Sequence, residues 1–104
     1  MIAVERSFAV DHPTAAGHFP GHPIIPGAVL LDQVIRVLQE ALQEELPTLE
    51  IRAAKFLHSV RPGDTMQILI DVLSATDYTF QCKVQQITAA SGTIRLPAPK
   101  PRLP

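Results

Sequence analysis

The chain has 104 residues, of which 46% are hydrophobic and 18% are charged, and its formal net charge is -1. This length suits one domain, and a core this small would gain stability from dimerisation. The balanced charge provides no basic field for nucleic acid or an anionic membrane surface. One cysteine, Cys82, excludes an internal disulfide, and no apolar run reaches transmembrane length or resembles a signal peptide. We therefore expect a soluble, cytoplasmic protein.

The first predicted element is a strand. Apolar residues at Ile2, Val4, Phe8 and Val10 lie on one face of a period-two pattern, which is typical of a half-buried strand. Residues 12–27 follow and are dense in Pro, Gly and His, so they form neither a regular helix nor a central strand. Several large apolar side chains in this connection favour a packed, functional loop.

A helix is predicted from Pro26-Gly27 to about Glu45. Residues 28–31 are apolar on all sides, so we expect the first turn to be buried all round. Later residues are amphipathic. The predicted buried face holds Val34, Ile35, Leu38, Ala41 and Leu42, and the polar face holds Asp32, Arg36, Glu40 and Gln43.

The remaining chain is predicted to form strands. The runs are 49–60, 66–72, 78–84 and a short one at 92–96, with a turn at residues 61–64. Strands joined by short turns pair antiparallel, so we expect a meander and an α+β arrangement in which the sheet wraps one long helix. Residues 1–96 are predicted to form one domain. The Pro-rich residues 97–104 are expected to be an extended or disordered tail.

Residues 17–36 hold the groups suited to chemistry. His18 can exchange a proton near neutral pH, and the N–H groups at the helix start by Gly27 can polarise a carbonyl. A carboxyl group such as Asp32, if shielded by the apolar first turn, could act as an acid. A base, an oxyanion donor and an acid are what β-elimination beside a thioester carbonyl requires.

Residues 17–27 read Gly-His-Phe-Pro-Gly-His-Pro-Ile-Ile-Pro-Gly, which resembles the signature of the FabA/FabZ-type 3-hydroxyacyl-acyl-carrier-protein dehydratases. His18 matches the catalytic histidine of that family, Asp32 its acidic helix residue, and Gly27 the glycine whose N–H holds the thioester carbonyl. Residues 55–64 resemble a second family segment, a strand and turn reading Lys-Phe and later Pro-Gly-Asp.

The resemblance implies a hot-dog fold, an antiparallel sheet around one central helix, and a homodimer or larger assembly of dimers. Each site would combine His18 of one subunit with Asp32 of the other and dehydrate a 3-hydroxyacyl thioester to a trans-2-enoyl thioester. The substrate would arrive on the phosphopantetheine arm of an acyl carrier protein, without a metal or redox cofactor. The implied substrate contacts are Phe19, Pro26, Ala28, Leu31 and Arg36.

Arg36 departs from the family pattern, which has Gln one helical turn after the acid. At i+4 from Asp32, Arg36 can form an ion pair that favours the ionised carboxylate. Two alternatives therefore stay open: a hot-dog acyl thioesterase, and a non-catalytic acyl-binding partner of an active dehydratase. Among the other histidines, we expect His22 to be structural, His12 to lie at the surface and His58 to lie in a strand. We expect none of them to bind a metal.

Overall fold

A computed structural model describes residues 1–10, 24–46 and 48–97 of the chain. It contains one helix and five strands in the order strand, helix and four strands. The elements are β1 (Ile2–Ser7), α1 (Gly27–Leu42), β2 (Glu50–Phe56), β3 (Thr65–Val72), β4 (Asp77–Val84) and β5 (Ile87–Arg95). The predicted α+β class and element order are thus confirmed.

The five strands form one antiparallel sheet in the order β1-β3-β4-β5-β2. Only β3, β4 and β5 form the meander expected from sequence. The prediction that β2 begins this meander was wrong, because β2 pairs with β5 at the far edge of the sheet. Residues 57–64 carry the chain back across the sheet, and Leu57 N–H donates to the Ala89 carbonyl at 2.8 Å.

Helix α1 packs on one face of the sheet, and its buried residues are Leu30, Val34, Val37 and Leu38. The opposing sheet face contributes alternate apolar residues of the central strands, among them Ile68, Ile70, Phe80, Cys82 and Ile94. The predicted burial of Cys82 is confirmed, and this burial raises the pKa of its thiol to about 12. A single shared core therefore holds the helix against the sheet.

The first helical turn is less enclosed than its composition indicates. Leu30 is buried, Val29 and Leu31 are half-buried, and Ala28 is exposed. The expectation of burial on every side was wrong, because α1 contacts the sheet along one face only and its outer face stays uncovered within the described chain. Helix α1 also ends at Leu42, where Gln43 takes a left-handed conformation with φ of 54°.

The turn at residues 61–64 forms as predicted. Arg61 N–H donates to the Asp64 carboxylate at 2.8 Å, Asp64 N–H donates to the Arg61 carbonyl, and Gly63 has φ of 93°, which favours glycine. Phe8 N–H and carbonyl bond to Asp64 and Gly63, so the turn is tied to the end of β1. Just before the turn, the Val60 carbonyl accepts a hydrogen bond from Ile25 N–H, which places this segment beside the start of α1.

Candidate active site

The start of α1 has two backbone donors, Gly27 and Ala28 N–H, that are unpaired among the described residues. Pro26 precedes the helix without any side-chain cap, and its carbonyl accepts from Val29 and Leu30 N–H at 3.0 and 3.3 Å. Within residues 1–10, 24–46 and 48–97, no group accepts a hydrogen bond from Gly27 or Ala28 N–H. Unpaired N–H groups at a helix start favour a negatively charged or strongly polarised oxygen. The predicted oxyanion donor, Gly27 N–H, therefore lies at a helix start where no described group pairs with it.

The side chain of Phe56, at the end of β2, lies directly against Gly27. A Cβ atom built on Gly27 would lie 2.7 Å from Phe56 Cε1 and 2.8 Å from Cζ. These distances are shorter than real Cβ contacts, so the ring occupies the space that any larger residue at position 27 would need. A larger residue at position 27 would therefore have to displace the Phe56 ring.

A groove of about 570 Å³ opens beside the helix start. Hydrogen bonding from Ile25 N–H to the Val60 carbonyl at 2.7 Å holds its two walls together. One wall is the approach to α1 and the other is the segment after β2. The lining residues are Ile24, Ile25, Gly27, Leu30, Phe56, Leu57, His58, Ser59 and Val60. A largely apolar groove that includes Gly27 in its lining suits an acyl chain whose carbonyl lies beside the helix start.

Asp32 lies on the uncovered face of α1, and 54% of its side chain is exposed. The expected shielding of this carboxyl is therefore absent within the described chain, since the apolar first turn packs toward the sheet and away from Asp32. Arg36 Nε donates to Asp32 Oδ2 at 2.8 Å, which confirms the predicted ion pair. This hydrogen bond, and then the charge of Asp32, raises the pKa of Arg36.

The polar stripe on α1 continues to the sheet. Glu40, one turn beyond Arg36, accepts a hydrogen bond from Arg6 of β1 at 2.8 Å. Asp32 is therefore the first member of an exposed row of charges that ends on an edge strand. Exposed ion pairs of this kind contribute little to the stability of the fold.

The predicted site residues fall into three groups. His18 and Phe19 lie outside the described residues, as do His12 and His22. Pro26 and Gly27 lie together at the helix start. Ala28, Leu31, Asp32 and Arg36 follow on the first turns of α1, where Leu31 is half-buried and the others are exposed.

Two groove residues were given no role by the sequence analysis. Phe56 was noted only as part of a motif, although a Lys-Phe pair at a strand end was the available signal. His58 was predicted to lie in a strand, which was wrong. It follows β2, is exposed and lines the groove, because β2 ends at Phe56 and the chain turns toward α1.

The described residues also bear on membrane insertion and on metal binding. No helix among them is long and apolar enough to cross a membrane. No group of three or more His, Cys, Asp or Glu side chains in this part of the chain is placed to hold a metal ion.

Comparison with known proteins shows the family to which the chain belongs. A family model described as ApeI-like, ApeI dehydratase, matches residues 1–93. The 3-hydroxyacyl-acyl-carrier-protein dehydratase FabZ of Wolbachia pipientis wMel is 33% identical over 104 residues, covering 89% of this chain and 73% of that protein. FabZ of Rickettsia typhi is 32% identical over 89 residues, covering 76% of this chain and 61% of that protein. The chain spans between 50% and 61% of the length of several curated relatives that it matches.

Solved structures agree on the architecture. The dehydratase heterocomplex ApeI:P from Xenorhabdus doucetiae superposes with a TM-score of 0.74 at 26% identity, covering 90% of this chain and 84% of that chain. An (R)-hydratase from A. caviae involved in PHA biosynthesis has a TM-score of 0.62 at 17% identity, covering 92% and 93%. The second likeness shows the fold alone.

The antiparallel sheet with one helix packed on it defines a hot-dog protein, as expected from the sequence motifs. Within that fold, the match over residues 1–93 is specific. The chain belongs to the ApeI-like dehydratase family.

Proposed function

We propose that the chain dehydrates a 3-hydroxyacyl thioester, carried by an acyl carrier protein, to the trans-2-enoyl thioester. The observation that carries this proposal is the helix start at Gly27, beside an apolar groove, where no described residue accepts a hydrogen bond from Gly27 or Ala28 N–H. The names of the curated relatives indicate the same reaction. The pathway would be fatty acid synthesis or a related polyketide or aryl-polyene type of synthesis.

In the proposed mechanism, Gly27 N–H binds the thioester carbonyl and stabilises the negative charge that develops on its oxygen. His18 removes the proton from the α-carbon, and the electron pair of that bond forms the double bond as the β-carbon loses its hydroxyl. The proton returns from His18, through a water held by Asp32, to the departing hydroxyl, which leaves as water. Arg36 positions the Asp32 carboxylate through its 2.8 Å hydrogen bond.

The exposed edge of β2 supports assembly of the site from two subunits. Every β2 residue except Ile51 is exposed, and the strand pairs only with β5 among the described elements. An unpaired strand edge is a template for another strand. We propose that two copies pair through β2, with His18 of one subunit acting beside Asp32 of the other.

A second candidate is a subunit that pairs with a different dehydratase chain. The observation that favours it is the likeness to the ApeI:P heterocomplex, together with the exposed Asp32–Arg36 pair. In that case this chain would bind the acyl group and its partner would supply the reacting groups.

One assay separates these candidates and the thioesterase alternative. The purified chain is incubated with a 3-hydroxyacyl carrier protein, and enoyl thioester and free thiol are measured. Enoyl formation that is lost in His18→Ala supports the dehydratase, whereas thiol release would indicate a thioesterase. Acyl binding without either product would favour the partner subunit and contradict the proposed activity.

A further inference from the structure

We propose that Phe56 determines substrate specificity by setting the steric limit at the α-carbon of the acyl group. The site would accept 3-hydroxyacyl thioesters that are unbranched at this carbon and reject those carrying an α-methyl group. The inference rests on the proposed function, in which Gly27 N–H binds the thioester carbonyl.

The position of the ring relative to Gly27 is the first step. In a helix the Cα–Cβ bond tilts toward the N-terminus, so the Cβ space of the first residue lies beside its own N–H group. Phe56 Cε1 and Cζ occupy that space at Gly27, 2.7 and 2.8 Å from the Cβ position. The ring therefore borders the place where a bound carbonyl oxygen would lie.

The size of a thioester is the second step. A carbonyl oxygen bonded to Gly27 N–H lies about 2.9 Å from the nitrogen, and the α-carbon is two bonds from that oxygen. A substituent on the α-carbon then lies on the side of the ring, and it would touch the ring at a separation of about 4.0–4.5 Å. An extra methyl group there would collide with the ring or displace it.

The surroundings of Phe56 are the third step. The ring is 52% exposed and belongs neither to the buried core nor to the apolar residues packed against it. Stability of the fold therefore gives little reason for an aromatic residue at this position. Its contacts are with the helix start and the groove, where a ring limits the shape of what can bind.

The test compares two pantetheine thioesters, 3-hydroxybutyryl and 2-methyl-3-hydroxybutyryl, in the full chain. We expect the wild type to prefer the linear thioester by about 10-fold in kcat/KM, the low end of what one extra carbon is worth in an apolar pocket, because the half-exposed ring can yield. In Phe56→Ala the preference should fall below about 3-fold, with Phe56→Leu between the two. Ile87→Ala is the matched control, because Ile87 is 50% exposed but does not line the groove.

An unchanged preference in Phe56→Ala, or an equal loss in Ile87→Ala, would overturn the inference. Circular dichroism and molecular mass confirm that each variant keeps its fold and assembly. If neither the wild type nor any variant forms enoyl product, the proposed reaction fails, and binding of the same two thioesters is measured by calorimetry. Tighter binding of the linear thioester that Phe56→Ala abolishes would still support the steric role of Phe56. No binding, or equal binding of the two thioesters, would reject that role.

Discussion

Arg95 of β5 lies directly opposite Asp77 of β4 in the sheet. The Arg95 guanidinium donates two hydrogen bonds to the Asp77 carboxylate. Nε donates to Oδ1 at 2.7 Å and Nη2 donates to Oδ2 at 3.0 Å. Among the described residues, Asp77 is the one charged residue that is buried. The Arg95 hydrogen bond, aided by one from Thr76, holds the pKa of Asp77 below its ordinary value of 3.8.

The Asp77–Arg95 pair should make the free energy of unfolding fall at acid pH. Because the pKa of Asp77 is lower in the folded state, the stabilisation is complete above the unfolded pKa and is lost as pH falls through the folded pKa. Asp77→Asn should lower Tm at pH 7 and reduce the fall in Tm below about pH 4, measured by thermal unfolding across pH. Arg95→Gln should produce the same two changes. An acid profile identical to the wild type in both variants would contradict the prediction.

Because Asp32 belongs to the exposed row of charged residues on α1, its substitution should change activity without changing stability. Asp32→Asn should lower kcat for dehydration by about 100-fold or more, since it removes the carboxylate that guides proton return. Tm should stay near the wild-type value, because the Asp32 side chain is exposed. Glu40→Gln is the matched control on the same stripe and should retain full activity. Equal losses of activity in the two variants would show that Asp32 has no special role.

Replacing Gly92 or Gly27 with alanine should lower the free energy of unfolding by different amounts. At Gly92, a Cβ would meet the Ala53 carbonyl, a backbone atom, and the buried ring of Phe80. At Gly27 the three nearest atoms all belong to the half-exposed ring of Phe56, which can swing outward. Gly92→Ala should therefore destabilise the chain by about 3 kcal/mol, and Gly27→Ala by about 1 kcal/mol, in urea unfolding.

The loss of stability expected for Gly27→Ala should come from its contact with the Phe56 ring. Adding Phe56→Ala to Gly27→Ala should remove most of the steric penalty, so the double-mutant cycle should show a coupling of at least about 0.5 kcal/mol. Strictly additive effects would mean that the ring does not press on position 27.

The hairpin between β4 and β5 predicts a stabilising substitution. Its two turn residues, Gln85 and Gln86, have φ of 50° and 71°, a conformation that Asn and Gly adopt more readily. Replacing the pair with Asn-Gly should raise the free energy of unfolding by about 1–2 kcal/mol. Gln67→Gly within β3 is the control and should lower it by about 0.5–1 kcal/mol. This account of the turn would be contradicted if the Asn-Gly variant were no more stable than the wild type, or if Gln67→Gly were stabilised as well.

The exposed edge of β2 predicts a dimer that one charge can disrupt. Leu57 and Leu73 are each 60% exposed, but Leu57 follows β2 whereas Leu73 begins the β3–β4 connection. Leu57→Asp should shift the molecular mass from dimer to monomer by light scattering, because pairing through β2 would bury the new charge. Leu73→Asp should remain dimeric. A monomeric wild type, or the same response in both variants, would reject pairing through β2.

The sequence by itself determined the elements whose signals are local. Period-two alternation placed β3 and β4, and the Pro-Gly-Asp turn before β3 formed as expected, since a turn depends on the conformations of four adjacent residues. The Asp32–Arg36 pair was also predictable, because residues four apart on a helix are neighbours. The motif around Gly27 likewise sufficed to name the fold and the family.

Only the tertiary structure decided which surfaces are covered. The place of β2 beside β5, the exposure of Ala28 and Asp32, and the contact of Phe56 with Gly27 all depend on how distant segments meet. The full length of β5 was also missed, because its Ala89 and Ala90 are buried although their small side chains carry a weak apolar signal. Burial and close approach are properties of the packed chain, and a local sequence pattern records only which side chains are able to be buried.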